Sequence, residues 1–281
     1  MKKYRVGVIG CTGIGTRHAF GVSGLPNAEL AAGCDLAQDA LDKFRETYQQ
    51  EWPDLALYTS YQDMLENANL DIVTVATSDH RHANMVIDAA RAGAKGIFCE
   101  KPLATTLAEA DAMAAAVVAH GVKFNYGTQR RYVRMYRNLR EMIDAGHIGQ
   151  LQSVIAHCGA SAAQWGHTHS ADMMLFFALD GETEFVQGTT DVSAEEWDGD
   201  RLPRDPAISS GYVQFKNGIH SYLVAATGWE FEISGTEGKL KTLSNGMGYS
   251  LRKKDEQGEY RSVDPPEAVV ESGTLRGMED I

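Results

Sequence analysis

Through the first half of the chain, short apolar runs alternate with longer stretches whose apolar residues recur every three or four positions. Tyr4 to Ile9, Glu29 to Cys34, Ala56 to Tyr58, Asp71 to Ala76, Gly96 to Cys99 and Lys123 to Tyr126 read as strands. Near-continuous apolar character suits strands covered on both faces. Between them, helices are expected from Thr16 to about Val22, around Leu41, Phe44 and Tyr48, from Tyr61 to Glu66, and from about Ala83 to Ala92, stopped by Gly93. Thr106 and Glu109 form a capping box opening a helix to His120, closed by Gly121. This alternation predicts an α/β, doubly wound parallel sheet. A helix from about Val133 to Ala145 follows, ended by Gly146.

Beyond it the pattern changes. Leu151 to Gly159 reads as a strand and Met173, Met174, Phe176 and Phe177 as one helix, and from Phe185 onward the signals are antiparallel. Asn217-Gly218 between Gly211–Lys216 and Ile219–Ala226 predicts a hairpin with a type I' turn. Phe231 to Ser234 and Lys239 to Leu243 are further strands, joined through Gly235 to Gly238. The expected division is residues 1–126 as a nucleotide-binding domain and 127–281 as an α+β domain with an open, mostly antiparallel sheet.

Composition narrows the partners. The 281 residues are 43% hydrophobic and 23% charged, enough for a sizeable core. A net charge of -12 without any basic block argues against nucleic acid or an anionic membrane as partner. Lys2 and Lys3 precede an apolar run that Gly7, Gly10, Gly13 and Gly15 interrupt, so no signal peptide is expected, and no stretch is long enough to span a bilayer. Cysteines 11, 34, 99 and 158 form no Cys-x-x-Cys pair, and reduced thiols in a cytoplasmic protein are expected.

The chemistry begins at Gly10-Cys11-Thr12-Gly13-Ile14-Gly15, directly after the first strand. A glycine-rich turn leading into a helix presents backbone amides and the positive helix end to a pyrophosphate. Thr12 stands where the fingerprint has its second glycine. Asp35 lies twenty residues past Gly15, ending the second strand, where a carboxylate receives ribose hydroxyls. No arginine or lysine follows at Leu36, Ala37 or Gln38 to hold a 2'-phosphate, so NAD is expected over NADP. Asp35 can also serve as an N-cap for the next helix, and the two roles are compatible, with the cofactor role favoured. Gly96 to Pro102 carries an apolar strand into Glu100, Lys101 and Pro102, delivering charge to the rim of the sheet, with a solvated turn as the simpler reading. His80 and His82 lie in a rim loop with no cysteine nearby, so no metal is expected there.

Taken in order, Val8 to Gly15, Asp35, Val75-Ala76-Thr77 with His82, Ala92-Gly93, Glu100-Lys101-Pro102, Glu109, Gly121-Val122, Arg130-Arg131-Tyr132 and Ile143 to Gly149 resemble the Gfo/Idh/MocA dehydrogenases. The resemblance covers residues 4 to 150 and continues more loosely to about Leu240. It implies an NAD-binding Rossmann domain, a second domain built on an open sheet, and oxidation of a secondary alcohol of a sugar, cyclitol or related polyol. The cofactor is then expected on Gly10, Thr12, Gly13, Ile14, Asp35, Thr77, Ser78, His82, Glu100, Lys101 and Gln129. Lys101 is expected at the substrate oxygen, positioned with the help of Glu100, with His169 as acid/base and Asp172 beside it or paired with a neighbour.

The chain departs from the family pattern Asp-x-x-x-His-x-x-Asp. Trp165 replaces the first aspartate and His167 the usual glycine, so His169 needs orientation from elsewhere, with His167 and Asp172 as candidates. His169 as a simple helix cap, and the Met and Phe stripe as core, are the structural alternatives; a metal on His157, His167 and His169 is not expected. Two other classes stay open: a lyase or glycosidase that uses bound NAD transiently, and a non-catalytic protein that kept the scaffold. A homodimer or homotetramer through the second-domain sheet is expected, and a C terminus ending at Gly277-Met278-Glu279-Asp280-Ile281 reads as shortened.

Overall fold

In the computed structural model, residues 3–264 are described, and the chain divides into two compact units, 1–127 and 128–281. The reading of a shortened C terminus lies outside the described residues.

The first unit runs β1 (Tyr4–Ile9), α1 (Ile14–Ser23), β2 (Ala28–Cys34), α2 (Gln38–Tyr48), β3 (Ala56–Tyr58), α3 (Tyr61–Asn67), β4 (Ile72–Val75), α4 (His82–Arg91), β5 (Gly96–Cys99), α5 (Leu107–Ala119) and β6 (Lys123–Tyr126). The strands are all parallel, in the order β3-β2-β1-β4-β5-β6. The chain winds outward from β1 to β3 and then crosses over to β4, so the winding direction reverses between β1 and β4. Ligands of such sheets bind at that reversal, beyond the strand ends. Two cores fill the faces. Val8, Leu30, Leu41 and Phe44 belong to one, and Val73, Val75, Val86 and Ile97 to the other. α1 begins at Ile14, two residues before the expected start at Thr16, because Gly13 takes the N-cap position with φ +50°.

The second unit carries α6 (Arg134–Asp144), β7 (Leu151–His157), β8 (Ser161–Ala162), α7 (His167–Phe177), β9 (Thr183–Thr190), β10 (Ala207–Phe215), β11 (His220–Val224), β12 (Glu230–Gly235), β13 (Gly238–Leu243), β14 (Gly248–Lys254) and β15 (Tyr260–Val263). Its sheet follows the order β15-β14-β13-β12-β7-β11-β10-β8, with β9 on β10. All pairs are antiparallel except β7 with β11. Leu139 and Ile143 of α6, Met173 and Phe177 of α7, and Val154, Phe231, Ile233 and Leu240 of the sheet share one core. The methionine and phenylalanine stripe is therefore packing.

The hairpin at Asn217-Gly218 is real but its turn differs from the one expected. The Gly218 N–H donates to Phe215 O (2.9 Å) and the Phe215 N–H to Ile219 O (3.0 Å), enclosing a three-residue loop. Only Gly218 takes positive φ, at +82°, so a type I turn with a glycine bulge replaces type I'. Asn217 has other work: its Nδ2 donates to Ala178 O (3.1 Å) and its Oδ1 accepts the Ile219 N–H (3.2 Å). Among the described residues, no helix is long and apolar enough to cross a membrane.

Candidate active site

The glycine turn is shaped by contacts that leave no room for side chains. A Cβ on Gly15 would sit 1.7 Å from Gly10 O, and one on Gly10 would sit 2.4 Å from Ala76 O. Gly10 holds φ +96° and donates its N–H to Cys34 O at 2.8 Å, while Ala76 donates to Ile9 O at 2.8 Å. The start of α1 is thus drawn against the ends of β1 and β4. Above Gly13 a Cβ would meet nothing within 4 Å, and no side chain caps α1. That is an open cradle of backbone over the positive end of a helix, and a pyrophosphate fits it. Thr12 is exposed, and its carbonyl accepts the Gly15 N–H (2.9 Å), so the residue in the second glycine position closes the turn through its backbone. Ile14 opens the helix.

Asp35 ties this turn to β2. Its Oδ2 accepts the Cys11 N–H at 2.9 Å and its Oδ1 the Ala37 N–H at 3.0 Å. It does not cap α2, whose N-cap is Ala37, without a side-chain bond. A carboxylate has about four lone-pair sites, so a ribose diol can still be received on the half-exposed side. Thr77 follows β4, and its methyl would lie 3.3 Å from a Cβ on Gly10; Ser78 beside it is exposed.

Two residues expected to touch the cofactor work from beneath instead. His82 is fully buried, with Nδ1 2.8 Å from Pro102 O and Nε2 3.0 Å from Thr77 O. With both nitrogens facing backbone carbonyls, it joins the loop after β4 to the corner after β5. Glu100 is 8% exposed, and its oxygens are engaged by His18 Nε2 (3.1 Å) and by the Lys101 N–H (3.0 Å). Each braces the crevice, and for Glu100 this is the expected role of positioning Lys101.

The corner bearing Lys101 is consequently fixed at several points. The Leu103 N–H donates to Tyr126 Oη at 3.0 Å, and Pro102 O meets His82. The Lys101 side chain is half-buried. Burial pushes its ammonium below the ordinary lysine value, and the charge of Glu100 opposes that shift. A lysine whose backbone is held this way at a strand end suits hydrogen bonding to a reacting oxygen. The simple solvated turn does not describe it.

In the second unit, His169 lies half-buried in the first turn of α7. Both residues expected to orient it have partners of their own. His167 is 2% exposed, with Nδ1 3.2 Å from Ser170 Oγ and Nε2 3.2 Å from Ile208 O, and burial pushes its imidazole below the usual histidine range. Asp172 accepts a forked pair from Arg131: Nη2 to Oδ1 at 2.6 Å, and Nε to Oδ1 and Oδ2 at 2.9 and 3.1 Å. Burial raises its carboxyl above the usual aspartate range against the pull of that guanidinium. Through Arg131, Asp172 ties the 3₁₀ turn Gln129–Tyr132 to α7, the pairing role that stands beside its expected catalytic one. Gln129 opens that turn, half-buried.

Sequence reading missed two residues here. His18, on α1, reaches Glu100 across 82 positions of sequence. Asp205 accepts the backbone N–H groups of Gln164 (2.9 Å) and Trp165 (2.8 Å), a carboxylate brought to the segment where Trp165 replaces the family's aspartate. His18 sits one turn beyond the glycine fingerprint, which is a weak signal; nothing local marks Asp205.

Comparison with known proteins agrees with this geometry. The family described as "Oxidoreductase family, NAD-binding Rossmann fold" matches residues 4–128. Myo-inositol 2-dehydrogenase of Thermotoga maritima is 35% identical over 146 residues, covering 52% of this chain and 42% of that protein. Inositol 2-dehydrogenase of Burkholderia multivorans is 31% identical over 200 residues, covering 68% of this chain and 56% of its own length. These alignments span only about half of the curated relatives. Among solved structures, levoglucosan dehydrogenase in complex with NADH and L-sorbose superposes with a TM-score of 0.77 at 21% identity, over 95% of this chain and 81% of that one. At that identity the likeness establishes the fold.

Proposed function

We propose that this chain, whose residues 4–128 match the oxidoreductase family with an NAD-binding Rossmann fold and whose motifs resemble the Gfo/Idh/MocA dehydrogenases, is an NAD-dependent dehydrogenase of a secondary alcohol on a cyclitol, sugar or related polyol. The observation that carries the reading is a half-buried lysine fixed at the end of β5 in the same unit as an open glycine cradle. When bound, NAD supplies the acceptor for the hydride. Gly10, Thr12, Gly13 and Ile14 hold the pyrophosphate by backbone, and Asp35 receives the adenosine ribose. Thr77 and Ser78 line the same crevice, and Gln129 is retained as a cofactor contact.

Lys101 donates a hydrogen bond to the substrate oxygen and opposes the negative charge that grows there as its proton leaves. His169 is proposed to take that proton, since an imidazole titrates near neutrality. Residues 128–281 are assigned to substrate recognition and self-association. Support for the latter comes from Phe185, Tyr212 and Tyr222, neighbouring rings on the sheet face away from α6 and α7. A homodimer or homotetramer is the expected mass by light scattering, and a monomer would remove that assignment. Buried, unpaired thiols at Cys11, Cys34 and Cys99 suit a cytoplasmic setting.

Cofactor preference tests the reading directly. Calorimetric titration is expected to give clear NAD binding and much weaker NADP binding, because Asp35 would face a 2'-phosphate with like charge. Equal affinity, or binding of neither, would remove the role given to Asp35.

A further inference from the structure

One side chain links the helix of the glycine cradle to the end of β5. His18 is the fifth residue of α1, and its Nε2 stands 3.1 Å from Glu100 Oε1. Glu100 Oε2 accepts the Lys101 backbone N–H at 3.0 Å. Gly127 closes the remaining side, since a Cβ there would lie 2.8 Å from Glu100 Oε2 and 2.9 Å from Lys101 N. The ring edge of His18 packs against Phe98, centroids 4.9 Å apart at 81°. The His18 and Glu100 side chains are only 12% and 10% exposed, so water competes little for their bond.

The ring's tautomer follows from what each nitrogen faces. An ionised carboxylate only accepts, so Nε2 donates to it. His18 Nδ1 is buried and has no hydrogen-bond partner. A proton there would be an orphaned buried donor, costing about 1–3 kcal/mol, whereas a bare lone pair costs less. The tautomer assigned from this network carries its proton on Nε2.

We propose that His18 is a positioning residue for Lys101: by donating to Glu100 it holds that carboxylate in place behind the lysine and couples the cradle helix to the reacting centre. The proposal rests on the role given to Lys101 above. Charged or titratable groups facing this point include Glu100 itself, His18 from α1, Lys101, and the Cys99 thiol, whose Sγ lies 3.5 Å from Glu100 O. Without the His18 donor the Glu100 carboxylate is no longer held behind Lys101. Glu100 then opposes the burial effect on Lys101 less, and the lysine loses its proton at lower pH.

The test needs no turnover. Lys101 in the full chain is labelled with acetic anhydride across a pH series, and the modified peptide is quantified by mass spectrometry. In His18→Leu the half-labelling pH is expected to move down, and in His18→Gln, which keeps a donor, to return toward wild type. With substrate, His18→Leu is expected to lose about ten- to a hundredfold in kcat with NAD affinity retained. A His18→Leu labelling profile superposed on wild type would overturn the proposal. So would a His18→Leu chain that does not fold beside a His18→Gln chain with the wild-type profile, because the contact would then be a structural tie only. A labelling shift together with an active Lys101→Ala enzyme would instead refute the role of Lys101 and leave the coupling standing.

Discussion

Lys101→Ala is expected to lower kcat for alcohol oxidation by about 10²–10⁴-fold, the range for removing one positioned acid/base group, while NAD affinity falls far less. The reason is geometric. The backbone on either side is held by Glu100 at the Lys101 N–H, by His82 at Pro102 O and by Tyr126 at the Leu103 N–H. Truncation therefore removes the ammonium without releasing the corner. The pH profile carries the same assignment. The useful form is the charged ammonium, whose fraction falls as pH rises through its pKa. Burial holds that pKa below the ordinary value of 10.5, so the alkaline limb of kcat/KM should lie below that of an exposed lysine. Lys101→Arg keeps its charge beyond this range and should lose the limb at reduced kcat. An unchanged kcat in Lys101→Ala would leave the lysine as surface decoration.

Gly15→Ala carries the other large effect. The new methyl would fall 1.7 Å from Gly10 O, and Gly10 cannot retreat, being bonded to Cys34 O on one side and pressed toward Ala76 O on the other. α1 must lift from the sheet. Overpacking of this kind costs about 1–3 kcal/mol in stability, and the displaced amides should weaken NAD binding by about tenfold or more, equivalent to 1.4 kcal/mol or more. Gly21→Ala, further along the same helix with nothing within 4 Å of the new Cβ, is the control. It should bind NAD normally and gain up to about 1 kcal/mol of stability. Thermal melts and calorimetry on both variants check this; a Gly15→Ala chain with wild-type NAD affinity would refute the cradle.

What the residues disclosed in advance follows from the range of the interactions involved. The parallel sheet was legible because strands buried on both faces are written as unbroken apolar runs, and Gly10, Gly93 and Gly121 punctuate them. Gly10, Gly15 and Asp35 were legible because the turn they build is local. The rest depends on contacts far apart in sequence. Asn217 looked like half of a type I' turn until its amide was found bonded to Ala178 O. β7 and β11 run parallel across more than sixty residues of chain, which no local periodicity encodes. Asp172 reads as a catalytic carboxylate from its spacing to His169, while its pairing with Arg131, 41 residues earlier, has no local signal. His82 reads as a rim residue from its polar neighbours, yet it lies under the corner it supports. Polar side chains in the first unit's site thus divide into those that face the crevice and those that brace it, a distinction only three-dimensional partners reveal.

The central claim is that hydride leaves a secondary carbinol carbon for NAD in net turnover. The most direct measurement incubates the chain with NAD and a cyclitol deuterated at its carbinol carbons, then analyses the cofactor pool by mass spectrometry. The account predicts free NADH carrying one deuterium, accumulating in step with ketone. Bound NAD that is reduced only transiently while no NADH accumulates, or a cofactor pool without deuterium across a cyclitol and sugar panel, would contradict it.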